Sequence, residues 1–477
     1  MGVRLTSRYT FVVHEVAQNS ATLWVGALIS SLGMPNHWRL VVINNKTAAE
    51  RKMKFEGGWE RPFDKLNKRF YKVVTLRNLE PGVSYTVRFE ARSEMRYELL
   101  EEAFFDTLPN RLPIQHQQAF TVGLGSCFYT KHDGGRAGQA YQALYEDAKH
   151  RPHIKFLTGD QVYLDIGLGW YPLNHSDTQE RIADDYAESW ELLRSMLRRG
   201  GTWMLPDDHE YWNNYPYLKG FNPYLVTLDH SRSFRKRWVR AATCGVENVQ
   251  MIKPVRTFDI GPDLSFCVAD LRSHRTDHGF IDEQNFNQII AWSQNLQSPG
   301  VLVIPQPLIQ PKGDDSDHNL ADWQQQYSAL VQALADCGHD IVLLSGDVHY
   351  GRVSEVKLGN SANRLIEVIS SPMSNLSELN GIAASEAKLK PRMFPTIPVA
   401  GVPKNRVTFH RKVSTESKWW DLRFPKRRTQ EHLMTLSFSR VQGGVKVTTQ
   451  AWRVRELAKN KRLPKNDFSR PFSTILK

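Results

Sequence analysis

The sequence predicts a two-part protein, a short all-β sandwich followed by a larger α/β domain built on parallel strands. Residues 8 to about 108 show short alternating apolar segments separated by turn residues, which is typical of a sandwich. From Ala119 onward, apolar runs alternate with amphipathic helical segments, which indicates βαβ units. A chain of 477 residues is also too long for one hydrophobic core. We expect the sandwich to span 1–112 and the α/β domain to span 113–477.

The N-terminal part carries the features of a β-sandwich and no chemistry. Its alternating segments are 9–13, 21–25, 38–43 and 71–76. The segment 79–87 places a Pro81-Gly82 turn before Tyr85, and it resembles the E–F corner of a fibronectin type III domain. In that corner a tyrosine fixes the turn, so we expect Tyr85 to do so here.

The second part alternates between strands and helices before it returns to β-structure. The predicted strands are 119–125, 154–158, 264–269, 301–304, 341–345, 353–358 and 365–370, with a hairpin over 432–440 and 445–453. The predicted helices are about 137–149, a long one carrying Ile182 to Leu197, 282–296 and 320–337. The stretch 212–236 is polar and aromatic, and 375–430 is predicted to be an irregular insertion.

Four of the apolar runs end on a side chain that can bind a metal. They deliver Cys127, Asp160, the group Asp207-Asp208-His209, and the pair Asp347 and His349. Because the carboxyl ends of neighbouring strands lie side by side in an open α/β sheet, we expect these side chains to converge. Tyr163 lies three residues after Asp160, so both oxygens can reach one hard cation. The sequence therefore favours a polynuclear metal centre.

The donor set indicates the chemistry of that centre. A thiolate, a phenolate, carboxylates and imidazoles mix soft and hard donors, which suits a trivalent or borderline metal beside a harder divalent one. Asp160 is the natural bridge because one carboxylate has two oxygens. Two or more metals a few ångströms apart hydrolyse phosphate esters well. We therefore expect a phosphate mono- or diester substrate.

Five motifs in order along the chain resemble those of the PhoD-like alkaline phosphatases, a branch of the calcineurin-like metallophosphoesterases. They are Gly125-Ser126-Cys127, Gly159-Asp160-Gln161-Val162-Tyr163, Asp207-Asp208-His209-Glu210, Asp270-Leu271-Arg272 and Gly346-Asp347-Val348-His349. The preceding β-sandwich also matches that family's layout, so the resemblance covers nearly the whole chain. It implies an α/β fold, a calcineurin-like αββα sandwich domain preceded by a fibronectin type III-like β-sandwich.

The resemblance also implies cofactors and roles. The expected metals are ferric iron and calcium, with zinc, manganese or magnesium as alternatives for a further divalent ion. Cys127 and Tyr163 would bind the iron and Asp160 would bridge. The further metal ligands would be Asp208, Asp347 and His349. The expected catalytic residues are His209 as proton donor and Arg272 as the group that meets the substrate phosphate, which its fork geometry suits.

Simpler interpretations stand beside these. Asp160 alone would serve as a helix cap, Asp207 as a salt-bridge partner, and Tyr163 as a half-buried aromatic at a strand end. Arg272 would pair with Asp270 across the sheet. Two rival functions also remain: a metal-free cysteine hydrolase that uses Cys127 with His209 or His349, and a non-catalytic binding protein of the same fold. Carboxylates around a thiol would raise its pKa, which argues against the first rival.

Composition excludes several other classes. Hydrophobic content of 41% and charged content of 23% are those of a globular protein, and no apolar run approaches the ~20 residues that span a bilayer. Four cysteines in so long a chain form no disulfide framework, so we expect a reducing, cytoplasmic location. The basic residues behind the net charge of +12 are dispersed, which argues against nucleic-acid binding, and no protein partner is evident.

Overall fold

The computed structural model contains a β-sandwich and two large sheets packed face to face, with helices on both outer surfaces. It describes residues 8–115, 117–166, 172, 174–218, 223–313, 318–360, 362–376, 391–413, 430–458 and 462–477. The predicted fold class is confirmed. Within these ranges no helix is both long and apolar enough to cross a membrane.

The N-terminal sandwich has seven strands in two sheets. The strands are β1 (Thr10–Val16), β2 (Ser20–Ala27), β3 (His37–Asn44), β4 (Glu50–Glu56), β5 (Phe70–Arg77), β6 (Ser84–Ser93) and β7 (Arg96–Asp106). Their orders are β1-β2-β5 and β4-β3-β6-β7, the arrangement of a fibronectin type III domain. The hydroxyl of Tyr85 accepts a hydrogen bond from the backbone N–H of Glu80 at 2.9 Å, so the predicted tyrosine corner is confirmed.

The first large sheet combines parallel strands with the returning hairpin. Its strands are β8 (Phe120–Gly125), β9 (Ile154–Thr158), β10 (Gly201–Leu205), β20 (His432–Val441), β21 (Gly444–Leu457), β22 (Pro464–Asn466) and β23 (Phe472–Leu476). The order is β10-β9-β8-β20-β21-β22, and β23 also pairs with β21. Since β8, β9 and β10 are parallel, their carboxyl ends meet at one edge.

The second large sheet is built from the middle of the chain. Its strands are β11 (Val255–Ile260), β12 (Leu264–Ala269), β13 (Gly300–Val303), β14 (Ile341–Ser345), β15 (Gly351–Lys357), β16 (Arg364–Ile369) and β19 (Thr408–Val413). The order is β11-β12-β13-β14-β16-β15-β19. Between β16 and β19, the two-residue strands β17 (Met393–Phe394) and β18 (Asn405–Arg406) pair with each other.

The helices cover the outer faces of the two large sheets. They are α1 (Arg136–Glu146), α2 (His175–Leu197), α3 (Pro223–His230), α4 (Arg232–Cys244), α5 (Glu283–Gln294) and α6 (Gln324–Asp336), with 3₁₀ turns at Asp208–Glu210 and Leu320–Asp322 and a π turn at Gly245–Val249. Helices α1, α2 and α4 pack on the first sheet, and α5 and α6 on the second. A third apolar core, which includes Phe156 and Phe266, fills the space between the sheets.

Two sequence predictions need correction here. The stretch 212–236, predicted only as polar and aromatic, contains α3 and the first five residues of α4, a helix whose Phe234, Trp238 and Ala241 fall on one buried face. The range 375–430, predicted to be irregular, contributes β17, β18 and β19, and β19 extends the second sheet. The parts of that range over 377–390 and 414–429 lie outside the described residues.

Candidate metal centre

The ends of four strands meet at one edge of the stacked sheets, and two glycines permit the approach. Gly159 follows β9 with a φ of 100°, and a Cβ atom there would lie 2.4 Å from the Cβ of Asp207. A Cβ on Gly346, after β14, would lie 2.4 Å from the Cβ of Ser126. Such distances are impossible for real side chains, so these two turns require glycine.

Four of the predicted ligands have an unusual backbone conformation. The φ angles of Cys127, Asp160, Asp347 and His349 are 54°, 57°, 66° and 54°. Residues other than glycine rarely adopt this left-handed region, and such strain concentrates at functional sites. The presence of this conformation at four predicted ligands marks the shared edge as a candidate functional site.

The six predicted metal ligands lie together. Asp160 Oδ2 is 3.4 Å from the sulfur of Cys127 and 3.1 Å from the hydroxyl of Tyr163. Three overlapping groups have ligand atoms within 4.8 Å of one another: Cys127, Asp160 and His349; Asp160, Asp208 and His209; and Asp207, Asp208 and Asp347. Tyr163 is buried rather than half-buried, and its hydroxyl contacts Asp160. The simpler interpretation, a half-buried aromatic at a strand end, does not account for this contact.

The charges at this edge fit bound cations. The carboxyl groups of Asp160, Asp207 and Asp208 are buried, and that of Asp347, which is half-buried, lies within 4.8 Å of the last two. Burying a carboxylate without a compensating charge is costly, and Oδ2 of Asp207 has no hydrogen-bond partner among the described residues. Metal cations would supply the missing charge, and the oxygen, nitrogen and sulfur donors present suit them.

The pKa shifts of Cys127 and His349 distinguish a metal centre from a metal-free cysteine hydrolase. Burial, together with the charges of Asp160 and Asp347, raises the pKa of the Cys127 thiol well above its usual value. Burial and the neighbouring His209 lower the pKa of His349 to about 4, so its imidazole is neutral. A neutral imidazole is ready to bind a metal, whereas a thiol held protonated is a poor nucleophile without one.

His209 is held by a carboxylate that our sequence analysis did not assign. Its Nδ1 lies 2.6 Å from Oδ1 of Asp165, which is buried and also accepts the backbone N–H of Asn213 at 2.9 Å. Burial alone would lower the pKa of His209, but Asp165, with Asp208 and Asp160, raises it well above the ordinary value. The ring therefore favours the protonated form, as a proton donor requires.

Glu210 fixes the turns that carry the ligands. Its carboxylate accepts backbone N–H groups of Asp160 at 2.9 Å, Gln161 at 2.7 Å and Asp207 at 2.8 Å, as well as the side-chain amide of Gln250 at 3.2 Å. One fully buried side chain thus ties the loop after β9 to the loop after β10. The sequence motif contained Glu210, but nothing in it indicated this role.

Replacing Glu210 with glutamine should destabilise the protein. The amide group would turn its N–H atoms toward backbone N–H donors, so buried donors would lose their acceptor. We expect the free energy of unfolding, measured by urea denaturation with tryptophan fluorescence, to fall by about 1–3 kcal/mol. The exposed Glu98→Gln is the matched control and should stay within about 0.5 kcal/mol of wild type. A Glu210→Gln protein as stable as the control would contradict this role.

Arg272 pairs with Asp207 rather than with Asp270. Its Nε donates to Oδ1 of Asp207, and its Nη1 donates to the backbone carbonyl of Tyr215 at 2.9 Å. Asp270 instead accepts the backbone N–H of Arg272 at 2.8 Å and so shapes the turn. The suggested Arg272–Asp270 pair is therefore wrong, whereas the salt bridge suggested for Asp207 is present and has Arg272 as its partner.

Two further side chains orient predicted ligands from segments without a motif. The amide of Gln306 receives a hydrogen bond from Arg275 at 2.6 Å and donates one to Oδ2 of Asp347 at 3.0 Å. Asn375 donates to the hydroxyl of Tyr163 at 2.6 Å and lies 3.0 Å from Nε2 of His349. Asn375 falls within the range predicted to be an irregular insertion, which gave no signal of its place at the centre.

Comparisons with known proteins identify the fold. No protein-family model and no curated protein matches the sequence. Several solved structures share this fold, in agreement with the fold that the sequence resemblance implied. One is the structure of PhoD, with 15% identity and a TM-score of 0.59 over 98% of this chain and 94% of that one. Another is purple acid phosphatase PPD1 from yellow lupin (Lupinus luteus) seeds, with 13% identity and a TM-score of 0.54 over 97% of this chain and 73% of that one.

Proposed function

We propose that the chain is a metal-dependent hydrolase of phosphate esters that uses a polynuclear centre. The observation that carries the proposal is the overlap of the three ligand groups, which share Asp160 and Asp208. Shared carboxylates are what holds metals a few ångströms apart, and such centres suit displacement at phosphorus. The fold that the chain shares with two phosphatase structures supports the same conclusion.

We assign the ligands as the family resemblance implies. Cys127 and Tyr163 would hold ferric iron, Asp160 would bridge, and Asp208, Asp347 and His349 would complete the centre with calcium or another divalent ion. When bound, the metals lower the pKa of a water molecule and neutralise the phosphoryl oxygens. Asp207, which the sequence analysis left as a salt-bridge partner, lies within 4.8 Å of Asp208 and Asp347 and orients Arg272 beside them.

Two residues of the chain would act on the substrate directly. His209 would donate a proton to the leaving oxygen, and Asp165 would hold the ring in place at 2.6 Å. Arg272 has its Nε and Nη1 engaged, which leaves Nη2 to meet a phosphate oxygen. The metal-free cysteine hydrolase is disfavoured, because the surroundings of Cys127 raise the pKa of the thiol that would have to ionise.

Metal analysis combined with an activity assay tests the proposal. The purified protein should contain more than one metal per chain by mass spectrometry of the elements, and it should release phosphate from p-nitrophenyl phosphate or its diester. Chelation should abolish the activity, and added metal should restore it. Activity that survives complete metal removal would favour the cysteine hydrolase. A fully loaded chain inactive on a panel of mono- and diesters would favour the non-catalytic protein.

Replacing Tyr163 with phenylalanine tests the iron assignment. A ferric ion bound to a phenolate and a thiolate absorbs visible light by charge transfer, so we expect coloured protein. Tyr163→Phe should shift or bleach that band, because it removes the phenolate ligand. The substitution removes a single oxygen atom, so we expect the fold to stay intact. Tyr129→Phe is the matched control, since its ring packs 5.6 Å from that of Tyr163. A colourless, fully active protein that contains only zinc would show that the iron assignment is wrong.

A further inference from the structure

A second charged cavity, of about 390 Å³, lies at the junction of the sandwich and the first large sheet. Its charged or titratable lining residues are Asp106, Arg111, Arg151, His153 and Arg440. Phe120, at the amino end of β8, also lines it, whereas Cys127 follows the carboxyl end of that strand. At about 3.3 Å per residue the two sites are roughly 20 Å apart. The cavity is therefore separate from the metal centre.

Asp106 is a buried residue whose carboxylate has one oxygen atom without a hydrogen-bond partner among the described residues. Its side chain lines the cavity although the residue is only 6% exposed. Oδ1 accepts a hydrogen bond from the hydroxyl of Ser84. Oδ2 has no hydrogen-bond partner and no ion pair among the described residues. A buried carboxylate oxygen without a hydrogen bond destabilises the folded protein. We therefore expect a bound molecule to donate a hydrogen bond to Oδ2, because no described residue does so.

The other groups around the cavity are donors. Nδ1 of His153 accepts the backbone N–H of Thr121 at 3.1 Å, so the neutral ring carries its proton on Nε2. Arg151 donates its Nε–H to the carbonyl of Tyr145 at 2.8 Å. Its two Nη groups, like those of Arg440, have no hydrogen-bond partner in the described part of the chain. These donors favour an oxyanion.

Asp263 balances part of the positive charge that Arg111 and Arg440 bring to the cavity. Asp263 receives a hydrogen bond from Arg111 at 3.1 Å, and it lies 3.8 Å from Nε of Arg440. Arg440 also donates its Nε–H to the carbonyl of Leu112 at 2.7 Å. Among the described residues no carboxylate forms an ion pair with Arg151, so its guanidinium is the strongest candidate to bind an incoming anion.

We propose that this cavity binds a protonated phosphate group. The phosphate oxygens would accept hydrogen bonds from Arg151, Arg440 and His153, and the P–O–H group would donate to Oδ2 of Asp106. Sulfate has the same shape but carries no proton near neutrality, so its oxygen would face the carboxylate without a hydrogen bond. A site built around a buried hydrogen bond rejects an analogue that lacks it, by a factor of about 10² or more.

Equilibrium dialysis of the full-length, metal-loaded protein against labelled inorganic phosphate tests this site. We expect Arg151→Met to bind one phosphate fewer per chain than wild type, whereas the exposed Arg470→Met should bind as wild type does. A hundredfold excess of sulfate should not displace that phosphate. Unchanged stoichiometry in Arg151→Met, or equal displacement by sulfate, would overturn the proposal.

The variant Asp106→Asn supplies a gain of binding that an unfolded protein cannot show. An amide can donate a hydrogen bond, so this variant should bind one labelled sulfate per chain more than wild type does. Failure to gain sulfate in a folded Asp106→Asn protein would also count against the site. Phenylphosphonate, which cannot be hydrolysed, distinguishes a site for free phosphate from a site for phosphate monoesters. It should compete with labelled phosphate only if the cavity accepts a phosphate group that carries a substituent. Because binding needs no turnover, the test is independent of the proposed hydrolase activity.

Discussion

Replacing Asp160 with asparagine is expected to remove metal and activity together. Asp160 belongs to two of the three ligand groups, and its Oδ2 faces both Cys127 and Tyr163. Asparagine keeps the shape but loses the charge and one of the two acceptor oxygens. We expect activity on phosphate esters to fall on the order of 10³-fold or more, because no other described carboxylate adjoins both the thiol and the phenol.

The measurement pairs metal content with the rate of phosphate release on the same sample. The matched control is Asp229→Asn, which removes an exposed carboxylate from α3 and should retain both. The left-handed φ of 57° at position 160 does not confound the test, since asparagine tolerates that region as well as aspartate does. An Asp160→Asn protein within a few-fold of wild-type activity would contradict the polynuclear mechanism.

Replacing His209 with alanine should have the second largest effect, and the effect should depend on the leaving group. Its ring is aligned by Asp165, and its centroid lies 4.2 Å from that of the Tyr163 ring, with the two planes tilted by 35°. A proton donor matters most when the departing alkoxide is basic. We expect alkyl phosphate esters to be hydrolysed about 10²–10⁴-fold more slowly, the range for lost general acid catalysis. p-Nitrophenyl esters should slow far less, because nitrophenolate leaves without a proton.

The partner of His209 provides the matched comparison. Asp165→Asn keeps the shape of the side chain but removes the charge that favours a protonated ring, so alkyl esters should slow by about 10–100-fold. Both variants should keep their metals, because neither residue is assigned as a ligand. Equal losses on alkyl and nitrophenyl esters, accompanied by loss of metal, would make His209 a metal ligand instead of an acid.

The sequence alone predicted those features that depend on neighbours along the chain. Alternating apolar residues predicted the sandwich strands, and the Pro81-Gly82 turn before Tyr85 predicted a corner in which Tyr85 does accept the N–H of Glu80. The apolar runs 154–158 and 341–345 match β9 and β14 in full. Because strands of a parallel sheet end at one edge, the residues after those runs could be expected to converge before any contact was known.

The tertiary structure alone decided which side chains meet across that edge. The partnership of His209 with Asp165, of Arg272 with Asp207, and of Tyr163 with Asn375 joins residues separated by 44, 65 and 212 positions. No local pattern encodes such pairs, since they depend on the order of strands within each sheet and on how the two sheets stack. The same reason applies to Asp106: it ends a sandwich strand, and only the packing of the sandwich against β8 leaves its carboxylate buried in a cavity lined by arginines.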